Sequence, residues 1–320
     1  MPTLLIIGGS GFFGKSILDM FQRGGLTHWN VDKVIAMSRN AKQLEIEAPE
    51  LVKGNVDLVE LDITTTSYLP EADYVIHAAS SADARNYLTA GGKERDNIQA
   101  GILNYCRLAR KNNVNTKLLY ISSGAIYGTQ PPEISHIKET YLYKDASDIS
   151  EGKRDYTIAK RKAEGLIKKL GDDGLNVSVA RCFSFVGKYL PRDQHFAIGN
   201  FIEDVINKRI IVVKAKHKVY RSYMYADDLV EWMMTIVDHA SSDCPVFNVG
   251  SDQPMLLEYI ADEISKRYHL KAKIAEKLDN KIDHYIPSIE KAKAELSLQI
   301  KFDTFASIEE TIKRILSHAK

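Results

Sequence analysis

The stretch LLIIGGSGFFGKSILDMF, residues 4–21, constrains the fold of this chain more than any other. A short apolar run meets three glycines spaced Gly8-x-x-Gly11-x-x-Gly14, and a helical pattern follows at once. A run apolar at every position reads as a strand covered on both faces, the situation in a parallel sheet flanked by helices. Gly8 permits a tight turn, Gly11 lets the backbone approach a pyrophosphate, and Gly14 lets helix and strand pack closely. The N–H groups that open the helix lack intrahelical partners and face an anion. Strand, glycine turn and helix together predict a dinucleotide site in which Gly8, Ser10, Gly11, Phe12, Phe13 and Gly14 hold the cofactor. The plainer alternative is a glycine-rich strand–helix turn with no ligand.

In such a site a carboxylate about twenty residues further on, at the end of the second strand, holds the ribose hydroxyls. Here the second strand, KVIAM (33–37), runs into Ser38 and Arg39. A carboxylate there would repel a 2′-phosphate, whereas a guanidinium forms bidentate, charge-assisted bonds to one. Ser38 adds a neutral hydrogen bond. NADP(H) is therefore favoured over NAD(H), which would require a neighbouring loop to supply the acid. Asp62, closing VELDI, is a candidate for the adenine edge, with Ile63 beside it as a further cofactor contact, and the plainer role of Asp62 is to cap the following turn.

The alternation continues along the chain. TLLII (3–7), KVIAM (33–37), VDLVEL (56–61), DYVIHAA (73–79), KLLYIS (117–122) and NVSVAR (176–181) read as strands. Helical patterns lie between them over 12–24, about 96–112 and about 155–171, the last ended by Gly171 or Gly174. This predicts an α/β fold with a doubly wound parallel Rossmann sheet over 1–181, to which 222–240 returns. Residues 182–320 read as a smaller C-terminal substrate-binding domain of discontinuous segments, with helices over 225–240, 256–270 and 307–319. The net charge of +1 and the lack of a basic, aromatic-interleaved stretch argue against a nucleic-acid partner. No apolar run is long enough to span a bilayer, so no membrane partner is expected. Cys106, Cys182 and Cys244 are far apart and odd in number, which suits a reduced cytoplasmic protein. His136, His195 and His217 are scattered, so no metal site is expected. Trp232, Met233 and Met234 read as core, and His77 as a packing or hydrogen-bonded histidine.

RDYTIAKRKAEG places Tyr156 and Lys160 one helical turn apart, on one face. A free tyrosine has a pKa of about 10. A nearby ammonium favours the phenolate and brings that value toward neutrality, as general acid–base chemistry requires. The alternative is a surface tyrosine on a basic amphipathic helix. Upstream, YISSGAIYG sets Ser122 and Ser123 where a parallel strand ends, the edge at which such sheets bind ligands.

With these motifs in order, the chain resembles an extended short-chain dehydrogenase/reductase of the nucleotide-sugar epimerase, dehydratase and reductase group. The likeness spans Gly8-x-x-Gly11-x-x-Gly14, VIHAAS (75–80), Asn97 in RDNIQ, SSGAIYG (122–128), Tyr156-x-x-x-Lys160, ARCFSFVG (180–187), RSYMYADDLV (221–230), FNVGS (247–251) and HYIPSIEKAKAEL (284–296). The resemblance implies a catalytic Ser123, Tyr156 and Lys160. It implies that Ala78, Ala79, Asn97, Tyr156 and Lys160 also contact the cofactor. It implies a nucleotide-sugar substrate contacted by Ser80, Ser123, Ser184, Phe196 and Asn200, with Arg221 on its diphosphate. Ser184 stands where the family has asparagine. A homodimer through the helices near 96–112 and 155–171 is implied as well.

Within the group, 4,6-dehydratases resemble one another in an Asp–Glu pair directly after the catalytic serine or threonine. Gly124 and Ala125 occupy those positions here, and neither moves a proton. A 4-keto reductase consuming NADPH and a 4-epimerase retaining NAD remain, and Arg39 favours the reductase. A non-catalytic cofactor sensor and an RNA-associated relative on the same fold are the readings from other classes.

Overall fold

The computed structural model describes residues 2–80, 92–112, 115–143, 145–147, 149, 151–192, 194 and 196–318. Seven strands form one sheet in the order β11-β6-β5-β4-β1-β2-β3. They are β1 (Thr3–Ile7), β2 (Lys33–Ser38), β3 (Val56–Glu60), β4 (Tyr74–His77), β5 (Lys117–Ser123), β6 (Asn176–Cys182) and β11 (Val246–Val249). The neighbours from β3 to β6 pair in parallel. β11 adds outside β6, with Val179 N donating to Pro245 O and Phe183 N to Val249 O. β1 has β2 on one side and β4 on the other, so the direction of winding reverses beside Ile7. A crevice at the carboxyl ends of these strands is where open α/β sheets bind ligands.

Helices α1 (Phe12–Gln22), α2 (Lys93–Asn112) and α3 (Glu151–Asp172) connect these strands. The predicted strands stand within two residues at each end, and β4 stops at His77, two short of its predicted end. There Ala78 turns out of the strand while its N–H still donates to Ile7 O, at 2.8 Å. The core joins Leu5, Ile7, Val75 and Leu118 of the sheet to Ile102 and Tyr105 of α2 and Ala163 and Ile167 of α3. That apolar layer is why the buried strands read as nearly continuous hydrophobic runs.

The chain divides into two units. The first is residues 1–126, 145–182 and 230–247, and the second is 127–144, 183–229 and 248–320. The third segment of the first unit carries most of α5 (Ala226–Asp238), with Trp232, Met233 and Met234 fully buried, and the start of β11. In the second unit β9 (Lys218–Arg221) lies between β12 (Met255–Leu256) and β14 (Ile282–Tyr285). β8 (Ile211–Val213) pairs with β13 (Ala272–Ile274), and β7 (Phe185–Val186) with β10 (Met224–Tyr225). Its helices are α4 (Ala197–Ile206), α6 (Leu257–Arg267), α7 (Glu290–Leu296) and α8 (Thr304–His318). Asp228 accepts from the backbone N–H groups of Lys301 and Phe302 at 3.0 and 3.2 Å. No described helix is long and apolar enough to cross a membrane. All three cysteines are buried and free.

Candidate active site

The three glycines of the first turn are demanded by different things. Gly8 adopts φ +96°, and a Cβ there would lie 2.8 Å from the Ala78 carbonyl carbon on β4's exit. A Cβ on Gly14 would lie 2.2 Å from Gly9 O, so helix and turn touch through their backbones. Gly11 has ordinary extended geometry, and the nearest atom to its Cβ would be Gly8 O at 3.4 Å, a normal contact. The protein itself therefore has room for a side chain at Gly11. A ligand lying against the backbone there would not leave that room. Gly11 is also the N-cap of α1, no side chain caps it, and the first turn holds no acidic residue. The opening N–H groups of a helix lack intrahelical acceptors, which makes such an end suited to an anion. Ser10, Phe12 and Phe13 are half-buried along the same turn, with the two rings edge-to-face at 5.5 Å. These residues fit a dinucleotide pyrophosphate.

At the end of β2 the Ser38 hydroxyl is buried with no hydrogen-bond partner among the described residues. Arg39 is exposed, with no ion pair among the described residues. β3 sets Glu60, also exposed, in register with Ser38. Asp62 Oδ1 accepts from Thr64 N and Thr64 Oγ1 at 2.9 and 2.8 Å, the turn cap foreseen as its plainer role. Ile63 belongs to the core. Ala78 and Ala79 are half-buried past β4, and Asn97 is half-buried near the start of α2.

Helix α3 is stapled to the end of β5 and the turn that follows. Thr157 Oγ1 donates to Ala125 O at 3.1 Å and Arg161 Nε to Ile126 O at 2.8 Å. Lys160, only 2% exposed, donates to Ile121 O at 2.7 Å and to Ser80 Oγ at 2.9 Å. Ser123 closes β5 in the middle of these contacts, its Oγ accepting from Ala125 N at 3.2 Å. Tyr156 lies one turn before Lys160, whose Nζ is 5.7 Å from the phenol ring centre. The structure thus brings Ser123, Tyr156 and Lys160 together within the first unit. Burial pulls the Lys160 pKa down to about 8, while Cys182, Glu164 and Glu94 act the other way.

The bonds of Lys160 to Ile121 and Ser80 were not foreseen, because they join segments far apart in sequence. His77 is buried between Tyr105 and Tyr120, with ring centres 5.4 and 5.8 Å away. Neither ring nitrogen has a hydrogen-bond partner among the described residues. Burial and the Lys160 charge hold its pKa down to about 3, so the imidazole is neutral.

The expected substrate-contact residues past Cys182 lie in the second unit. Arg221 ends β9 and pairs with Asp283 of β14, Nη2 to Oδ2 at 2.8 Å, while Nη1 donates to Tyr220 O at 2.7 Å. Its guanidinium also stands 5.8 Å from the Tyr285 ring centre. Ser184 is half-buried, and its carbonyl accepts from Met224 N at 3.1 Å. Phe196 is the N-cap of α4. The Asn200 amide is engaged at both ends, donating to Gln194 O at 2.8 Å and accepting from Gln194 N at 3.2 Å. His195 lies outside the described residues. Among the described residues no group of three or more His, Cys, Asp or Glu is arranged to hold a metal ion.

A parallel sheet that reverses its winding beside a glycine turn, with these residues at its carboxyl edge, defines a dinucleotide-binding α/β protein. The NAD dependent epimerase/dehydratase family matches residues 4–250, and the chain belongs to that family. It is similar to UDP-glucuronic acid decarboxylase 1 of Danio rerio, with 27% identity over 83% of this chain. It spans 62% of that relative's length. Among solved structures it resembles a UDP-N-acetylglucosamine 4-epimerase from Methanobrevibacter ruminantium, with TM-score 0.82, 20% identity and 99% of each chain covered. It also resembles the UDP-glucose 4-epimerase of Thermotoga maritima, with TM-score 0.80, 20% identity, and 99% of this chain and 100% of that one covered. These two likenesses are of fold.

Proposed function

We propose that this chain is an NADP(H)-dependent reductase of a nucleotide-linked 4-keto-6-deoxyhexose, acting at C4. Arg39 carries the reading, as an exposed guanidinium without an ion pair among the described residues at the end of β2. A phosphate on the adenine ribose would give it a bidentate partner. The bound cofactor supplies the hydride. Tyr156 donates the proton to the developing alkoxide and is reprotonated from solvent. Ser123 hydrogen-bonds that oxygen as its charge grows. Lys160 gives two of its three N–H donors to Ile121 O and Ser80 Oγ, and the third would hold the nicotinamide ribose when the cofactor is bound. Ser80 thus supports Lys160 in this reading. Gly124 and Ala125, following Ser123, carry no group to shuttle a proton, which argues against elimination. A nucleotide-sugar substrate accords with the family, with the UDP-linked substrates in its relatives' names, and with Arg221 as a diphosphate contact. The reading includes a homodimer through α2 and α3, which light scattering after size exclusion tests.

A second reading, an NAD-retaining 4-epimerase, is favoured by Glu60, the exposed carboxylate in register with Ser38. Identification of the dinucleotide released on denaturing the purified protein separates the two. Exchangeable NADP(H), and an Arg39→Ala variant that binds NADPH at least tenfold more weakly with NADH unchanged, are expected. Stoichiometric, non-exchanging NAD would put the epimerase first.

A further inference from the structure

Ser122 and Ser123 are neighbours, but alternate residues of a strand face opposite sides of a sheet. Ser122 is 3% exposed and donates its hydroxyl to Glu164 Oε1. Arg181, in register with Ser122 on β6, donates to the same carboxylate, from Nη2 to Oε2 at 2.9 Å and from Nε to Oε2 at 3.2 Å. Glu164 and Arg181 are each 9% exposed. Glu164 lies one helical turn beyond Lys160 on α3. The helix therefore grips two successive residues of β5, Lys160 taking the Ile121 carbonyl and Glu164 the Ser122 hydroxyl. Arg181 extends that grip to β6.

An ion pair at this depth is a poor source of stability. Desolvation of both charges offsets most of their attraction, and a well-packed apolar pair serves as well or better. What an apolar pair lacks is direction. A carboxylate held by a forked guanidinium and a hydroxyl admits one rotation and one rise of the helix over the sheet. The alignment it fixes is that of Tyr156 and Lys160 against Ser123.

We infer that Glu164, held by Ser122 and Arg181, is a positioning residue that keeps the helix bearing Tyr156 and Lys160 in register with Ser123. The inference rests on the roles proposed above for those three residues. Glu164 also acts on Lys160 through charge. The other groups facing Lys160 are Tyr156 on its own helix, Glu94 on α2, Cys182 on β6, Tyr120 on β5, and His77 with Ser80 at the end of β4.

Glu164→Gln keeps the side chain's size and removes its charge. With UDP- and dTDP-linked 4-keto-6-deoxyglucose as probes, kcat is expected to fall at least tenfold while KM stays within twofold. The Lys160 titration is read without substrate, from the pH dependence of stability relative to Lys160→Met in the same background. In Glu164→Gln it should begin at least half a pH unit lower. The paired variant Glu164→Leu with Arg181→Leu removes both charges and keeps packing. It is expected to melt within a few degrees of the parent yet retain the kcat loss. Parental kcat and an unshifted Lys160 titration in either folded variant would overturn the inference. Full turnover in Tyr156→Phe would instead remove the proposed catalytic roles, and the Lys160 titration would still report on Glu164.

Discussion

Replacing Lys160 by methionine isolates the free energy of a buried ammonium. The group's ordinary pKa of 10.5 falls to about 8 in the folded protein, chiefly through burial. Below pH 8 both folded and unfolded chains carry the proton, and the fold bears a charge in a dry site. Between about pH 8 and 10.5 the unfolded chain binds a proton that the folded chain does not, so stability rises with pH. At about 1.36 kcal/mol per pH unit the whole interval is worth about 3 kcal/mol. About 2 kcal/mol of it falls between pH 7 and 9.5. Lys160→Met has nothing to titrate there, and every other group is common to both proteins. The stability of the parent minus that of the variant should therefore rise by about 2 kcal/mol from pH 7 to 9.5. Urea unfolding followed by tryptophan fluorescence at pH 7, 8 and 9.5 measures it. A difference that stays constant across that range would refute the reasoning, since Lys160 would then titrate alike in both states.

Other outcomes follow from the same geometry. Gly11→Ala should leave the melting temperature within about 2 °C, because its Cβ meets only an ordinary contact, while weakening NADP(H) binding at least tenfold by fluorescence titration. Gly14→Ala drives a Cβ to 2.2 Å from Gly9 O and should destabilise by about 3 kcal/mol or more, seen as a lower melting temperature even with cofactor in excess. Tyr156→Phe should lower turnover by about a hundredfold or more with cofactor affinity kept within twofold. Arg221→Ala should weaken UDP binding and steepen no other dependence, whereas unchanged UDP affinity by calorimetry would remove it as a diphosphate contact.

The central strands β1, β2 and β4 were legible because they are buried along nearly their whole length and so run almost continuously apolar, whereas β3 at the edge carries the exposed Asp57 and Glu60. The glycine turn was legible because each glycine meets a distinct demand. β11 escaped the reading, since Val246–Val249 is four residues long and carries the polar Asn248 in its middle. The small sheets of the second unit escaped for a related reason. β9 and β14 pair more than sixty residues apart in sequence, as the Arg221–Asp283 contact shows, and neither has a pattern that names the other. That Tyr156 and Lys160 share one helical face was legible from their spacing. The ties of Lys160 to Ile121 and Ser80, and the capture of Asn200 by Gln194, are set by tertiary placement. Alternation along β5 contained the distinction between Ser122 and Ser123, but the face that each takes follows only from where α3 lies.

The late arrival of β11 bears on how the chain is made. Ribosomes release β6 first, and the residues from Phe183 to Pro245 must emerge before β11 can cover its outer edge. During that interval Val177, Val179 and Ala180, all buried in the finished fold, belong to a strand open on one side. An open apolar edge recruits other chains. Nascent chains cut short before Val246 should therefore aggregate, and slowing synthesis between Phe183 and Pro245 should lower the yield of folded protein more than slowing it after Val249.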